Sequence, residues 1–496
     1  MDALHNLLTG FATALTLKNL YLAFVGCLWG TIVGVLPGIG PVAGITLLIP
    51  ATLGIDATGA IIMLAAIYYG AMYGGSTTSI LMNIPGESAS VITCLDGYQM
   101  ARTGRAGAAL FIAAFGSWVG GTLAIVGLMF MAPLLADFAT KFGPPEMFSI
   151  YLLAFILLSS LGHDIFTTMP MVLLGLLLAS IGMDPLTGVL RFTHGVKHLY
   201  DGLGFVPIAM GAFGLGEILA ATQESEEGRG LQKVRLRDLL PTGEEFRASI
   251  GAILRGSGIG FFIGLLPGSA HIVSSFLSYL TEKRLSKHPE RFGKGAIEGV
   301  AGPETANNAA SGAAMIPFLG LGIPTGPPAA VMMIALLIHG IRPGPLFISE
   351  QAHVFWGLIA SMYIGNVILL ILNLPLVGVF VNLLRIPARL LFPIILLVAL
   401  VGTYSGNLDT FELVVFLGAG VVGYAFRSWG FEIAPLVLAM ILGPAAEISF
   451  RRSLMRSAGS FGIFFASPIA ATLLAASALL LTWNVHRSLA KAPAKA

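Results

Sequence analysis

Long stretches of this chain contain no charged side chain. Asn19 to Ile55 carries none, nor does Ala57 to Gly86. Further runs cover Ala106 to Ala136, Met147 to Gly162, Ile165 to Gly182, Gly202 to Gly216, Gly256 to Thr281, Thr305 to Ile341, Gly357 to Leu384, Leu390 to Leu408 and Ser457 to Val485. A helix needs about 20 apolar residues to cross a bilayer. The runs therefore predict roughly 10 to 13 membrane segments, several of them broken by Gly and Pro into pieces too short to span. The composition agrees: of 496 residues 56% are hydrophobic and only 10% charged, where soluble domains carry about 25% charged residues. This excludes a disordered chain, a nucleic-acid binder and an ordinary cytosolic enzyme, and leaves an all-α polytopic membrane protein. Two cysteines, Cys27 and Cys94, cannot build a disulfide framework and read as small buried residues.

Polar segments divide the chain. Residues 1–18 lack a basic leader region and a cleavage site, so they do not read as a signal peptide. Leu4, Leu7, Leu8, Phe11 and Leu15 recur at helical spacing, which predicts an amphipathic helix on the membrane lipid surface. Residues 19–220 form a first membrane repeat, 221–247 a polar linker, 248–453 a second repeat, 454–485 a terminal transmembrane helix and 486–496 a basic tail. The loop from Glu282 to Lys294 is basic, and the positive-inside rule puts it and the tail in the cytoplasm. Arg102, Arg105, Arg385, Arg389, Arg451 and Arg452 lie at run ends and read as topology anchors.

The two halves resemble each other. Gly30-x-x-x-Gly34-x-Leu36-Pro37-Gly38 returns 230 residues later as Gly260-x-x-x-Gly264-x-Leu266-Pro267-Gly268. Asn83-Ile84-Pro85-Gly86 returns 239 residues later as Gly322-Ile323-Pro324-Thr325. Val206-Pro207 with Glu217 downstream resembles Ala434-Pro435 with Glu447. Three matches in one order indicate a duplication. About seven segments separate Pro37 from Pro267, an odd number, which implies inverted topology, a common secondary-transporter plan.

The chemistry sits where these runs are broken. Pro removes a donor and Gly tolerates unusual backbone angles. Broken backbone at membrane depth survives only when buried in protein or lining a wet cavity. Freed amides at half-helix N-termini hold a carboxylate, and freed carbonyls with Ser, Thr or Asn oxygens hold a sodium ion. Any one glycine or proline here also serves close helix packing or a kink. Four stretches taken together, matched between halves and dense in hydroxyls and amides, point instead to a binding site. Ser76, Thr77, Asn83, Thr305, Asn307 and Asn308 are the candidate substrate contacts, with Gly38, Gly86, Gly268 and Thr325 supplying backbone groups. Glu304, Ser269, Thr78 and Gly322 are the candidate coupling-ion residues, Glu304 foremost, since ionisable groups at membrane depth are costly. Glu304, Glu87 and Asp96 also read as loop-edge carboxylates in water, and His271 as either a substrate-facing or a packing residue. No phosphate-binding loop, zinc-protease motif, metal-ligand spacing or row of arginines is present. Neither a metal nor a cofactor is expected.

At these stretches the sequence resembles the large membrane subunit of tripartite tricarboxylate transporters. Gly34-x-x-Pro37-Gly38, the run from Tyr69 through Tyr73-Gly-Gly-Ser76-Thr77-Thr78-Ser79 to Asn83-Ile-Pro85-Gly86, and Gly302-Pro303-Glu304-Thr305-Ala-Asn307-Asn308 carry the resemblance. It implies a multi-pass permease of the bacterial inner membrane. It further implies a small membrane subunit, a periplasmic substrate-binding protein that delivers a small di- or tricarboxylate, and uptake driven by a sodium or proton gradient. The candidate breaks contain no Arg or Lys, so substrate charge would be met by helix N-termini, hydroxyls, amides and co-bound cations. The expected function is cation-coupled carboxylate symport, with a passive ion channel or pore as the alternative. Enzymatic activity is not expected, because no nucleophile–base pair is visible.

Overall fold

The computed structural model describes residues 3–36, 40–83, 85–139, 143–158, 165–184, 186–204, 207–208, 210–216, 219, 239–266, 270–344, 346–378, 393, 396–397, 400, 403–404, 409–431 and 433–491. The helices of the first half are α1 (Ala3–Ala14), α2 (Leu17–Val35), α3 (Gly40–Thr52), α4 (Ala57–Met82), α5 (Val91–Arg102), α6 (Ala106–Ala139), α7 (Pro144–Leu158) and α8 (Ile165–Ala179). A hairpin with a two-residue antiparallel ladder, β1 (Gly182–Met183) and β2 (Leu190–Arg191), follows, and then a π-helical turn at Met210–Leu215. The second half contains α9 (Gly243–Gly264), α10 (Ala270–Leu285), α11 (Glu298–Ala313), α12 (Met315–Leu321), α13 (Pro327–Ile338), α14 (Ala352–Asn373), α15 (Thr410–Ser428), α16 (Ala434–Arg456) and α17 (Pro468–Lys491). The protein is thus an all-α polytopic membrane protein apart from that short ladder.

Seven described helices, α2, α4, α6, α9, α14, α15 and α17, are long and apolar enough to cross a membrane, and α3, α7, α8 and α13 are shorter apolar pieces. The chain caps these helices with its few polar residues. The Asp56 carboxylate accepts from the Gly59 amide at 3.2 Å ahead of α4. Thr242 and Glu245 form a reciprocal capping box, so α9 begins at Gly243, inside the stretch expected to be linker. Two further expected boundaries shift: α16 runs on to Arg456, and α17 carries helix through Lys491, into the expected tail.

Helix α1 does not stand alone. A Cβ on Gly10 would lie 2.2 Å from the Trp356 carbonyl oxygen, so its glycine face packs closely on α14, while Leu4, Leu8 and Leu15 on its other side are exposed. Cys27 and Cys94 are both free and buried, as expected.

Two helix pairs form the centre. Along α2, a Cβ on Gly26, Gly30 or Gly34 would stand 2.4, 2.3 or 2.3 Å from the carbonyl oxygens of Met63, Ile67 and Ala71 on α4. Along α9, a Cβ on Gly256, Gly260 or Gly264 would stand 2.5, 2.3 or 2.6 Å from those of Gly302, Ala306 and Ala310 on α11. The glycines are spaced by four because residues i and i+4 share a helix face, and only hydrogen fits there. The two ladders are separated by 230 residues on the glycine side and 239 on the carbonyl side, the offsets of the sequence motifs.

A second pair of contacts exchanges helices between halves. Gly175 of α8 meets the Leu436 carbonyl of α16, and Gly211 of the π-turn meets the Phe416 carbonyl of α15. Ion pairs tie the same region: Arg191 grips Glu447 at 2.9 and 3.3 Å, and Arg451 donates to Asp184 at 2.8 Å and to Glu447 at 3.1 Å. Arg105 pairs with Glu245. Arg105 and Arg451 are therefore interlocking residues as well as run-end charges, and Arg385 and Arg389 lie outside the described residues.

Candidate functional site

Helices α4 and α11 are almost entirely buried, yet they hold the polar residues of the runs. Ser76, Thr77, Thr78, Ser79, Glu304, Thr305, Asn307 and Asn308 are all buried. Buried polar groups are the informative exception in a folded chain.

The chain breaks after α4. Asn83 adopts a left-handed conformation with φ 58°, which a short amide side chain tolerates better than most. The segment then folds back onto its own helix. A Cβ on Gly86 would meet the Gly34 carbonyl at 2.4 Å, Gly75 Cα at 2.5 Å and Thr78 Oγ1 at 2.7 Å, so only glycine fits. Glu87 caps the next turn, its carboxylate accepting from the Ala89 amide at 2.7 Å.

Four helices converge on Glu304. Ser76 of α4 donates to Oε2 at 2.5 Å, and Thr93 of α5 donates to Oε1. Ser117 of α6 lies 3.5 Å from the Glu304 carbonyl oxygen. One turn on, Asn308 Nδ2 donates to Ser117 Oγ at 2.7 Å and to the Glu304 carbonyl at 3.2 Å. Asn307 Nδ2 donates to Glu87 Oε1 at 3.0 Å. The Oδ1 atoms of Asn307 and Asn308 are buried and have no hydrogen-bond partner among the described residues. A cavity of about 10 Å³, the scale of one water molecule, is lined by Tyr73, Ser76, Thr77, Ser117 and Asn373 among others.

Outer contacts set this geometry. Asp96, fully buried, accepts from the amides of Gly293, Gly295 and Ala296 at 2.7–2.8 Å and from the Tyr279 hydroxyl at 2.9 Å. It clamps α5 to the turn ahead of α11 and so holds Thr93 against Glu304. Tyr73 donates to Asn366 Oδ1 at 2.7 Å, and Asn366 Nδ2 reaches Trp118 O and Thr122 Oγ1. His271 contacts the Tyr68 hydroxyl at 3.0 Å through Nε2, and its Nδ1 has no partner.

The expected residues fall into groups. Ser76, Glu304 and Asn308 come together in one network, Asn307 on the same helix instead bonds Glu87, and Thr77 lines the adjoining cavity. Thr78 donates back to Gly75 O. Thr305 donates to Ala301 O and packs against Gly116 and Gly120 of α6. Gly322, with φ 69°, ends α12 and Thr325 is buried past it. Among the described residues no hydrogen bond joins Asn83, Gly322 or Thr325 to the Glu304 network. Gly38, Gly268 and Ser269 lie outside the described residues. Sequence reasoning missed Thr93, Ser117, Tyr73 and Asn366. The nearest signal for Thr93 was its place one turn after the Ser88-Ala-Ser90 cluster.

The model of the tripartite tricarboxylate transporter TctA family matches residues 20–438. The chain belongs to that family. This TctA-family chain is 49% identical over 476 residues, 96% of its length and 95% of the relative's, to a protein from Agrobacterium vitis described as an uncharacterized 52.8 kDa protein in the TAR-I ttuC' 3' region. A second A. vitis protein, described as uncharacterized and from the TAR-II ttuC' 3' region, is 50% identical over 215 residues, 43% of this chain and 89% of the relative. No solved structure matches.

Proposed function

We propose that this TctA-family chain is the permease subunit of a binding-protein-dependent tripartite transporter, carrying a small di- or tricarboxylate across the bacterial inner membrane by cation-coupled alternating access. It works with a small membrane subunit and a periplasmic substrate-binding protein. Family membership supports the tripartite assignment, and the paired glycine ladders support two repeats that rock against each other.

One observation carries the coupling. Glu304 is 1% exposed, and among the described residues its carboxylate meets only hydroxyls. The ion pairs among the described residues belong to other carboxylates, such as Arg255–Glu282 and Arg451–Asp184. A buried carboxylate must be paired or neutralised. The missing positive charge is then the coupling ion, sodium or a proton, bound among Glu304, Ser76 and Thr93. With that charge supplied, the neighbouring amides and hydroxyls receive an anionic substrate without any Arg or Lys.

The test is uptake of labelled citrate and smaller carboxylates into proteoliposomes. The vesicles hold this chain and its small partner, with binding protein outside, under a sodium gradient, a proton gradient or none. Saturable uptake that needs the binding protein and one gradient supports the proposal. Glu304→Gln should lose gradient-driven accumulation while keeping substrate exchange. Flux indifferent to the binding protein and to every gradient would favour the channel instead.

A further inference from the structure

The Glu304 network leaves a second carboxylate unexplained. Glu87 stands at the break after α4, against Gly75, where a Cβ on that glycine would meet Glu87 Cγ at 2.9 Å. Its two oxygens accept one amide each, from Ala89 N at 2.7 Å and Asn307 Nδ2 at 3.0 Å. Among the described residues no Lys, Arg or His forms an ion pair with it. Asn307 is 1% exposed, and the other end of its amide, Oδ1, is a buried acceptor with no donor among the described residues. The carboxylate fixes the amide's orientation: turning it over would set Oδ1 against Glu87 Oε1, two acceptors face to face.

Two deficits therefore meet at one place. A carboxylate lacks a positive partner, and a buried amide oxygen lacks a donor. A proton on Glu87 answers the first, and it answers the second only if the Asn307 amide turns over to accept from the new O–H, which leaves Nδ2 buried without its acceptor. A metal cation answers both, because carboxylate and amide oxygens are the hard donors that such ions take. We propose that Glu87 and Asn307 Oδ1 form a second monovalent-cation site, for sodium, beside the Glu304 site. The inference rests on the cation-coupled reading above and adds a second ion to it. Asn307 lies three residues after Glu304, about one helical turn along α11, so one helix carries Glu304 and the side chain that meets Glu87. Glu87 belongs to the break of the first half and Asn307 to a helix of the second. An ion there joins the halves, and its departure frees the break to move against α11.

The experiment is equilibrium binding of radioactive sodium ions to the purified full-length chain, in a choline background. Wild type should bind about two ions per chain, and Glu87→Gln about one. Glu304→Gln should also bind about one, and the double variant none. Asn307→Ala should weaken one of the two sites by about tenfold or more, the loss of a ligand or close oxygen partner. Asn307→Asp, which restores an oxygen, should recover binding. Thermal melts without sodium check that each variant is folded. A folded Glu87→Gln that binds as many sodium ions as wild type overturns the proposal, whether Glu304 takes sodium or a proton. Proteoliposome uptake on the same preparations separates the two readings. Gradient-driven uptake with sodium binding unchanged by Glu87→Gln leaves the transporter reading standing and removes the second site. Two bound ions with gradient-independent flux does the reverse.

Discussion

The α2–α4 and α9–α11 pairs are built on one plan and hold different chemistry. Both pack three glycines, spaced by four, onto three carbonyls of the central helix. Both central segments end in a left-handed residue, Asn83 at φ 58° and Gly322 at φ 69°, 239 residues apart. At that same offset Glu304 lands on Ala65, Asn307 on Tyr68 and Asn308 on Tyr69. In the other direction Ser76 lands on Met315 and Thr77 on Ile316. The packing is duplicated and the polar groups are not. One half brings hydroxyls and Glu87, and the other brings Glu304 and the two amides. The buried polar groups of the two halves therefore partner each other across the seam, as Ser76 does with Glu304 and Asn307 with Glu87.

The strongest way to break this comparison is to fill the ladders. Gly30→Val and Gly260→Val each drive side-chain atoms into a carbonyl oxygen that already stands 2.3 Å from the Cβ position. Backbone yields poorly, so each should cost about 3 kcal/mol, the upper end for overpacking. Melting of the detergent-purified protein measures it. Matched losses support equivalent scaffolds. A variant in one half that melts like wild type would show that the ladders are not equivalent.

Next come the polar groups, where the halves should differ. Ser76→Ala removes a donor from a buried carboxylate and should cost about 2 kcal/mol of cation binding, a shift of more than tenfold. Its counterpart Met315→Ala should lower stability through a cavity and leave the cation dependence of uptake unchanged. Asn308→Ala should weaken uptake at limiting substrate, and unchanged uptake would remove Asn308 from the site.

The scaffold half of this comparison was legible in the sequence because it is periodic. Glycines every four residues and breaks at fixed offsets survive as a pattern. Ser76, Glu304 and Asn307 were legible because polar residues stand out in charge-free runs. Thr93 and Ser117 were not, because each is one hydroxyl on a helix whose facing partner is set only by tertiary contact. Asp96 was read as a carboxylate at membrane depth or in water. Its clamp on three amides 197 to 200 residues away has no local signature. Thr305 was read toward ligand, but back-bonding to Ala301 turns its hydroxyl onto its own helix, a choice open to any helical threonine.

A smaller effect is expected at the two left-handed ends. Asn83→Ala should cost about 1 kcal/mol, because alanine lacks the short amide whose local hydrogen bonding makes the left-handed conformation tolerable, and Asn83→Gly should cost almost nothing. Gly322→Ala should cost more than Asn83→Ala, since a Cβ there also meets the Pro343 carbonyl at 2.7 Å. Equal losses in the melts would mean that the Pro343 contact relaxes, and would make the two ends closer copies than their sequences.

The smallest effect should lie where the halves are tied by charge. Arg451, with help from the Leu186 amide, holds the Asp184 carboxyl well below the usual carboxylate range. A carboxyl depressed in this way stabilises the fold above its unfolded value and loses that contribution only as pH falls through the depressed one. The difference in melting temperature between wild type and Arg451→Gln should therefore be fully present at about pH 7 and persist at about pH 5, shrinking only in stronger acid. The Arg451 side chain is 31% exposed but that of Asp184 only 8%, so salt should reduce the difference modestly at every pH. No difference at any pH or salt concentration would mean that the hairpin's grip on α16 comes from packing, and that this link between halves is not electrostatic.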